Sequence, residues 1–494
     1  MSEKKEEVKK ISLFEAFLPL VVLLVLLTLN VRFFDDSLAG PNQVALLTAS
    51  AVAGIIGVIR GFSYEMMFGY SARNIKATGS ALIILMFIGA LSGSWLISGI
   101  VPTMIYYGIQ ILNPQFFLFS TAIITAIISL ITGSSWSTVA TMGIALLGIG
   151  QTLGFPAAVI GGAIISGSYF GDKLSPMSDT TNLAAAVAEV DLIKHIKYML
   201  LTTIPSMAVA LILYIGLGFF YHSKSEAIDI TAMNQALEAN FNITPWLFLV
   251  PIIVIVLIMK KVPALPALFA GTILGVIFAL IFQHELLLKL SGESEYSFST
   301  LYKTIVDSLI NSVSIETGNK SLDGLLSSKG MVGMLNTIWL IVTAMVFGGF
   351  MEATGSLHRI SELLLRMGKG FFSLIFATTG TTLFFNITAA DQYLAIVVPG
   401  RMYADTFKER GYAPENLSRT LEDTGTVTSA LIPWNTCGAT QASVLGVATL
   451  AYAPFAFFNL ISPIMTLIYA AFKIKITNIE SDEKGEAETE VANS

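Results

Sequence analysis

Asp172, Asp391, Glu422 and Asp423 each stand at the edge of a long stretch without charge. No Asp, Glu, Lys, Arg or His lies between Lys76 and Asp172. That run ends in Gly171–Leu183, GDKLSPMSDTTNL, a burst of carboxylates, hydroxyls and an amide. A second uncharged run, Gly370–Ala390, stops at Asp391, and a third starts after Glu422-Asp423 and lasts to Phe472. A charge at membrane depth costs roughly 2.5–3.5 kcal/mol or more, so such residues are functional-site hypotheses by default. Several oxygens with one or two negative charges suit a hard cation. A desolvated carboxylate can also take a proton. A proton and a metal cation competing for one carboxylate, exposed to each side in turn, would make an exchanger.

Positioning such groups needs interrupted backbone. Pro176 lacks an N–H and clashes with the preceding turn, so a helix should break there. Asp172, Ser175, Ser178, Asp179, Thr180, Thr181 and Asn182 surround that break. The mirror region holds Glu422, Asp423, Thr424, Thr426 and Thr428, then Pro433, Trp434, Asn435 and Thr436. Two candidate hairpin tips, at Gly133-Ser134-Ser135-Trp136-Ser137 and Asn386-Ile387-Thr388, add hydroxyls, an amide and half-helix ends that attract ions. Plainer roles compete. Lys173 could pair with Asp172, but snorkelling to the headgroups is the expected role. Asp179 could cap the helix continuing from Thr180. Glu352 reads as interfacial, the tryptophans as belt or packing residues, and Gly161-Gly162 and Gly348-Gly349 as close-packing points.

The chain has 494 residues, 54% hydrophobic and only 13% charged, with mean hydropathy +0.73. Soluble domains carry nearer 25% charge. Apolar runs long enough to cross hydrocarbon recur throughout, and none shows the period-two alternation of a barrel. The fold class is therefore all-α and polytopic in a membrane. Expected spans are 13–31, 43–60, 80–99, 197–221, 245–259, 263–283, 333–352 and 457–472. Segments 116–150 and 371–399 read as re-entrant hairpins, and 156–190 and 420–452 as interrupted helices. The first apolar run reads as a retained helix, because Asn30-Val31-Arg32 is no small-residue cleavage site. Lys4, Lys5, Lys9 and Lys10, the loop with Arg60, Arg73 and Lys76, then Lys194, Lys260, Arg366, Lys369, Arg401 and Lys473 place both termini in the cytoplasm. One cysteine, Cys437, excludes an intrachain disulfide, and the four histidines make no zinc-ligand pair. No basic patch suggests nucleic acid.

The halves echo each other at an offset of roughly 250–260 residues, with Asp172 set against Asp423. Repeat one is read as about 80–221, a connector as 222–332 and repeat two as about 333–473, with a cytoplasmic segment 1–12 before them and an acidic, disordered tail 476–494 after. Charge counting runs span 80–99 outward and 333–352 inward, which makes the repeat inverted, a transporter trait. Residues 298–316 are amphipathic and expected at the interface.

Stretches 92–108, 168–184 and 390–403 resemble signatures of the NhaC family of sodium/proton antiporters, and the similarity runs from about residue 10 to 475. The resemblance implies inverted repeats with sodium bound near the broken helices and exchanged for protons. Carried over, Asp172, Ser175, Asp179, Thr180 and Asn182 form the first-half site, and Asp391, Glu422, Asp423 and Asn435 the second-half candidates. Ser134 and Asn386 join them from the hairpin tips, and sodium is placed at Asp172, Asp179 and Asp423. Sodium and protons are cargo; no cofactor is expected, and a homodimer stays an open option. The family also includes exchangers that move malate or lactate with these ions, which Lys173 or Arg401 could greet. An intramembrane enzyme lacks a nucleophile–base pair: Cys437 has no His near it in sequence.

Overall fold

The structure, a computed structural model, describes residues 10–34, 39–222, 230–293, 295, 297–318, 320–323, 325–365 and 370–479. Lys4, Lys5, Lys9, Arg366, Lys369 and the tail beyond 479 lie outside them. Among the described residues, eight helices are long and apolar enough to cross a membrane, and two bent pairs raise this to ten.

Helix α1 (Leu13–Phe33) opens on a capping box between Ser12 and Glu15, and α2 (Pro41–Ile59) returns antiparallel to it. Helix α3 (Tyr64–Ile97) is 34 residues long. It starts at the Ser63 cap, well before the expected residue 80. At 1.5 Å per residue it extends about 51 Å, against about 30 Å of hydrocarbon. The supposed loop at 64–79 is thus helix; Arg73 stays solvated at its end and pairs with Glu352 at 2.6 Å. The short α4 (Ile100–Ile111) cannot span.

The first hairpin follows. Its arms are α5 (Phe117–Thr132), and α6 (Ser135–Thr138) leading through a π-helical turn, Val139–Gly143, into α7 (Ile144–Thr152). Then come α8 (Ala157–Leu174), a break at 175–178, α9 (Asp179–Val187) and the long α10 (Leu192–His222). Helix α8 packs against α5 through Gly167 and Gly171, where a Cβ would overlap the carbonyls of Ala122 and Ala126. Gly171→Val should therefore force the two helices apart. Overpacking of this kind costs about 1–3 kcal/mol or more, and a lowered melting temperature in detergent would register it.

The connector comprises α11 (Ile230–Asn240), α12 (Leu249–Met259), α13 (Ala264–Phe282), α14 (His284–Ser291), α15 (Phe298–Ile310), strand β1 (Val313–Ser314), α16 (Lys320–Asp323) and strand β2 (Ser327–Ser328), the strands being antiparallel. Helix α15 turns buried Thr304 and Ser308 toward α3, at Gly93, and leaves Phe298 85% exposed. The expected interfacial helix is thus docked on the bundle by its small polar side.

Helix α17 (Leu335–Ala353) and α18 (Ser356–Leu365) lead to the second hairpin, α19 (Phe371–Thr388) and α20 (Gln392–Glu409). Helix α20 runs ten residues beyond the expected end at 399, carrying Arg401 and Lys408 on a helix instead of a loop. Next come α21 (Glu415–Leu421), a π-helical turn at Glu422–Thr426, α22 (Val427–Ser429), a break at 430–435, α23 (Thr436–Leu445), α24 (Thr449–Tyr452) and α25 (Phe457–Ala471). Residues 476–479, assigned above to the disordered tail, bond to the loop after α20: Thr477 accepts from the Ala413 N–H and Ile479 donates to Gly411.

One register of 257 residues relates the halves. It matches left-handed Gly133 with Ala390, Gly154 with Gly411 and Glu189 with Gly446. It also matches Pro176 with Pro433, and the N-caps Ser134 with Asp391 and Ser178 with Asn435. The offset falls within the expected range, but the assumed mates do not survive. Asp172 corresponds to Ser429, and Asp423 to Ser166. Helix α3 begins, and α17 ends, where Arg73 meets Glu352. The hairpins that follow therefore enter from opposite faces, and the repeat is inverted.

Candidate functional site

Both hairpin tips and both helix breaks converge in mid-bundle. The Pro176 break frees carbonyls, and the Asn182 amide donates to that of Pro176 at 2.9 Å and to that of Ser178, which also accepts from the Asn182 backbone N–H, at 2.7 Å. Ser178 caps α9 by accepting from the Thr181 N–H. Asp179, proposed above as that cap, instead sits exposed in the first turn. Thr180 meets the Ser178 hydroxyl at 3.1 Å, and buried Ser175 accepts from Met177. In the second repeat Asn435 caps α23 and donates to Asn386, which itself donates to Gly425 and Thr428. Asn182, Ser175, Asn386 and Asn435 thus hold the breaks together.

A cavity of 330 Å³ lies between the tips and α3. Asp172 is 6% exposed; one oxygen accepts from the Ser135 N–H at 3.1 Å and the Ser135 hydroxyl at 2.7 Å. Asp391 is 5% exposed and caps α20, accepting from the Tyr393 and Leu394 N–H groups at 2.9 and 3.1 Å. Its other oxygen lies 3.4 Å from the Thr436 hydroxyl. Each carboxylate is held by the positive end of its hairpin's second arm. Ser134, Ser178, Asp179 and Thr180 complete one wall, Gln392 and Thr436 another, and Thr78 and Ser80 of α3 a third. No group of three or more His, Cys, Asp or Glu side chains converges among the described residues. A cation here would draw on hydroxyl and amide oxygens beside one or two carboxylates.

Asp423 is not in this cavity. It lies in the second π-helical turn, fully buried, and forms an ion pair with Lys173, also fully buried. Thr202, Thr466 and Ser462 donate to the same carboxylate. Arg419 approaches it at 4.0 Å and lies 4.5 Å from the Tyr198 ring centre. Lys173 therefore does not snorkel. The Asp423 carboxylate, 250 residues away in sequence, supplies a counter-charge that headgroups would otherwise provide. Sodium shared by Asp172, Asp179 and Asp423 is not the arrangement seen; the first two line the cavity and the third belongs to the ion pair. Glu422 is buried beside Asp423, with neither oxygen hydrogen-bonded among the described residues.

Several residues at the site escaped the sequence reading. Gln392 directly follows Asp391, so adjacency alone could have flagged it, whereas Thr436 of the mirror region lines the cavity as read. The π-helical turns, frequent at functional sites, have no sequence mark. Trp136, grouped above with packing residues, lines the cavity.

Inverted repeats that meet at half-helix ends in mid-bundle, with carboxylates at depth, define a secondary transporter. Residues 167–474 match the model of the Na+/H+ antiporter family. The chain is 35% identical over 439 residues to the Na+/H+ antiporter NhaC of Alkalihalophilus pseudofirmus, covering 89% of this chain and 92% of that one. It is 34% identical over 465 residues to the malate-2H+/Na+-lactate antiporter of Bacillus subtilis, covering 94% and 95%. The arginine/ornithine antiporter ArcD of Halobacterium salinarum is 32% identical over 487 residues, with coverage of 97% and 96%. The chain belongs to the Na+/H+ antiporter family.

Proposed function

We propose that this protein exchanges sodium for protons across a prokaryotic plasma membrane by alternating access. The observation that carries this reading is the charge of the cavity. Asp172, Asp179 and Asp391 line it, and no Lys, Arg or His is among its lining residues. Such a wall attracts cations and repels a carboxylate substrate such as malate. Lys173 is occupied by Asp423, and Arg401, exposed on α20, does not line the cavity. Sodium would take oxygen ligands from Asp172, Ser135 and the neighbouring hydroxyls. A proton on the carboxylate would remove the charge that holds the sodium. The face that carries Arg60, Arg73, Lys194, Lys260 and Lys408 would be cytoplasmic.

Sodium alone should collapse a preformed proton gradient in proteoliposomes, read with a pH-sensitive dye. Collapse that requires malate or lactate would favour the organic-acid reading instead.

A further inference from the structure

The 257-residue register exposes an exchange that no motif shows. At the first junction of hairpin tip and broken helix, the tip's N-cap is Ser134 and the broken-helix position is Asp172. At the second junction the same two positions are Asp391 and Ser429. Serine and aspartate have traded places, so each junction keeps one buried carboxylate.

The bonding matches as well. In each repeat the broken-helix residue bonds to the residue after the cap. Ser135 donates to Asp172 at 2.7 Å, and Ser429 donates to Gln392 at 3.3 Å. The next residues, Trp136 and Tyr393, are also mates, and both line the cavity.

We infer that the protein binds two monovalent cations at once, one at each junction. The first site is Asp172 with Ser135 and Ser178. The second is Asp391 with Thr436 and Gln392. Each offers one buried carboxylate and neutral oxygens, a charge matched to one sodium ion, with Asp179 exposed on the cavity wall beside the first. A divalent ion would need the two carboxylates brought to a single point. The inference rests on the sodium reading of the cavity and adds the number and location of its sites.

Equilibrium dialysis of the purified full-length protein with radioactive sodium tests this. Wild type should bind two equivalents, and Asp172→Asn and Asp391→Asn one each. Asparagine still caps a helix, so Asp391→Asn should preserve α20. The double variant Asp391→Ser/Ser429→Asp rebuilds the first junction's arrangement in the second and should regain the lost equivalent. One equivalent in wild type that moves sodium against protons would overturn the two-site inference alone. So would an Asp391→Asn protein that still binds two, or a monodisperse double variant that stays at one. A wild type that neither binds sodium nor exchanges it defeats the sodium reading itself.

Discussion

Asp172→Asn should abolish sodium-driven proton movement in proteoliposomes while leaving membrane insertion intact. The substitution keeps the side chain's shape and still accepts hydrogen bonds from Ser135, so the first junction should stay assembled. What it removes is the negative charge, at a residue only 6% exposed. Losing one partner of a buried charge pair costs about 2–5 kcal/mol, which corresponds to roughly a 30- to 4,000-fold loss. Glu285→Gln, at an exposed position of α14 that does not line the cavity, should exchange normally in the same assay. Wild-type dye response from Asp172→Asn would remove this carboxylate from the mechanism.

The second large effect concerns stability. Asp423→Ala would leave the Lys173 ammonium buried without its counter-charge. Breaking a buried pair from one side costs about 3–5 kcal/mol, a large share of the 5–15 kcal/mol typical of a folded protein. The expected result is poor recovery of monodisperse protein and a much lower melting temperature in detergent. Lys173→Met combined with Asp423→Leu should recover part of that loss, because the desolvation cost of Lys173 disappears while Arg419, 4.0 Å from the same carboxylate, stays buried. If the double variant melts as low as Asp423→Ala, the ion pair is not the source of the effect. Transport by a recovered double variant would further show whether the pair only supports α8 against α21 and α25.

Much of the architecture was legible because its causes are local. Apolar length gave the spans, Pro176 and Pro433 marked the breaks, and gaps in charge pointed to Asp172 and Asp391. The inverted repeat was visible as an offset, but its register was not. Choosing Asp423 as the mate of Asp172 followed residue type, whereas geometry follows the left-handed residues at Gly133 and Ala390 and the caps after them. Partners distant in sequence were beyond reach. Lys173 looked like a snorkelling lysine because Asp423 is 250 residues away. The first turns of α3 looked like a loop because Glu352, which meets Arg73, is 279 residues away.

The buried cluster at Lys173 also bears on voltage. Within it Lys173 and Asp423, one positive and one negative charge, are shut away from solvent together. The electric field across the membrane does work of about 2.3 kcal/mol per elementary charge per 100 mV, but only on net charge displaced through it. A group that sums to zero can shift with its helices without drawing on that source. The pair itself then adds nothing to electrogenicity.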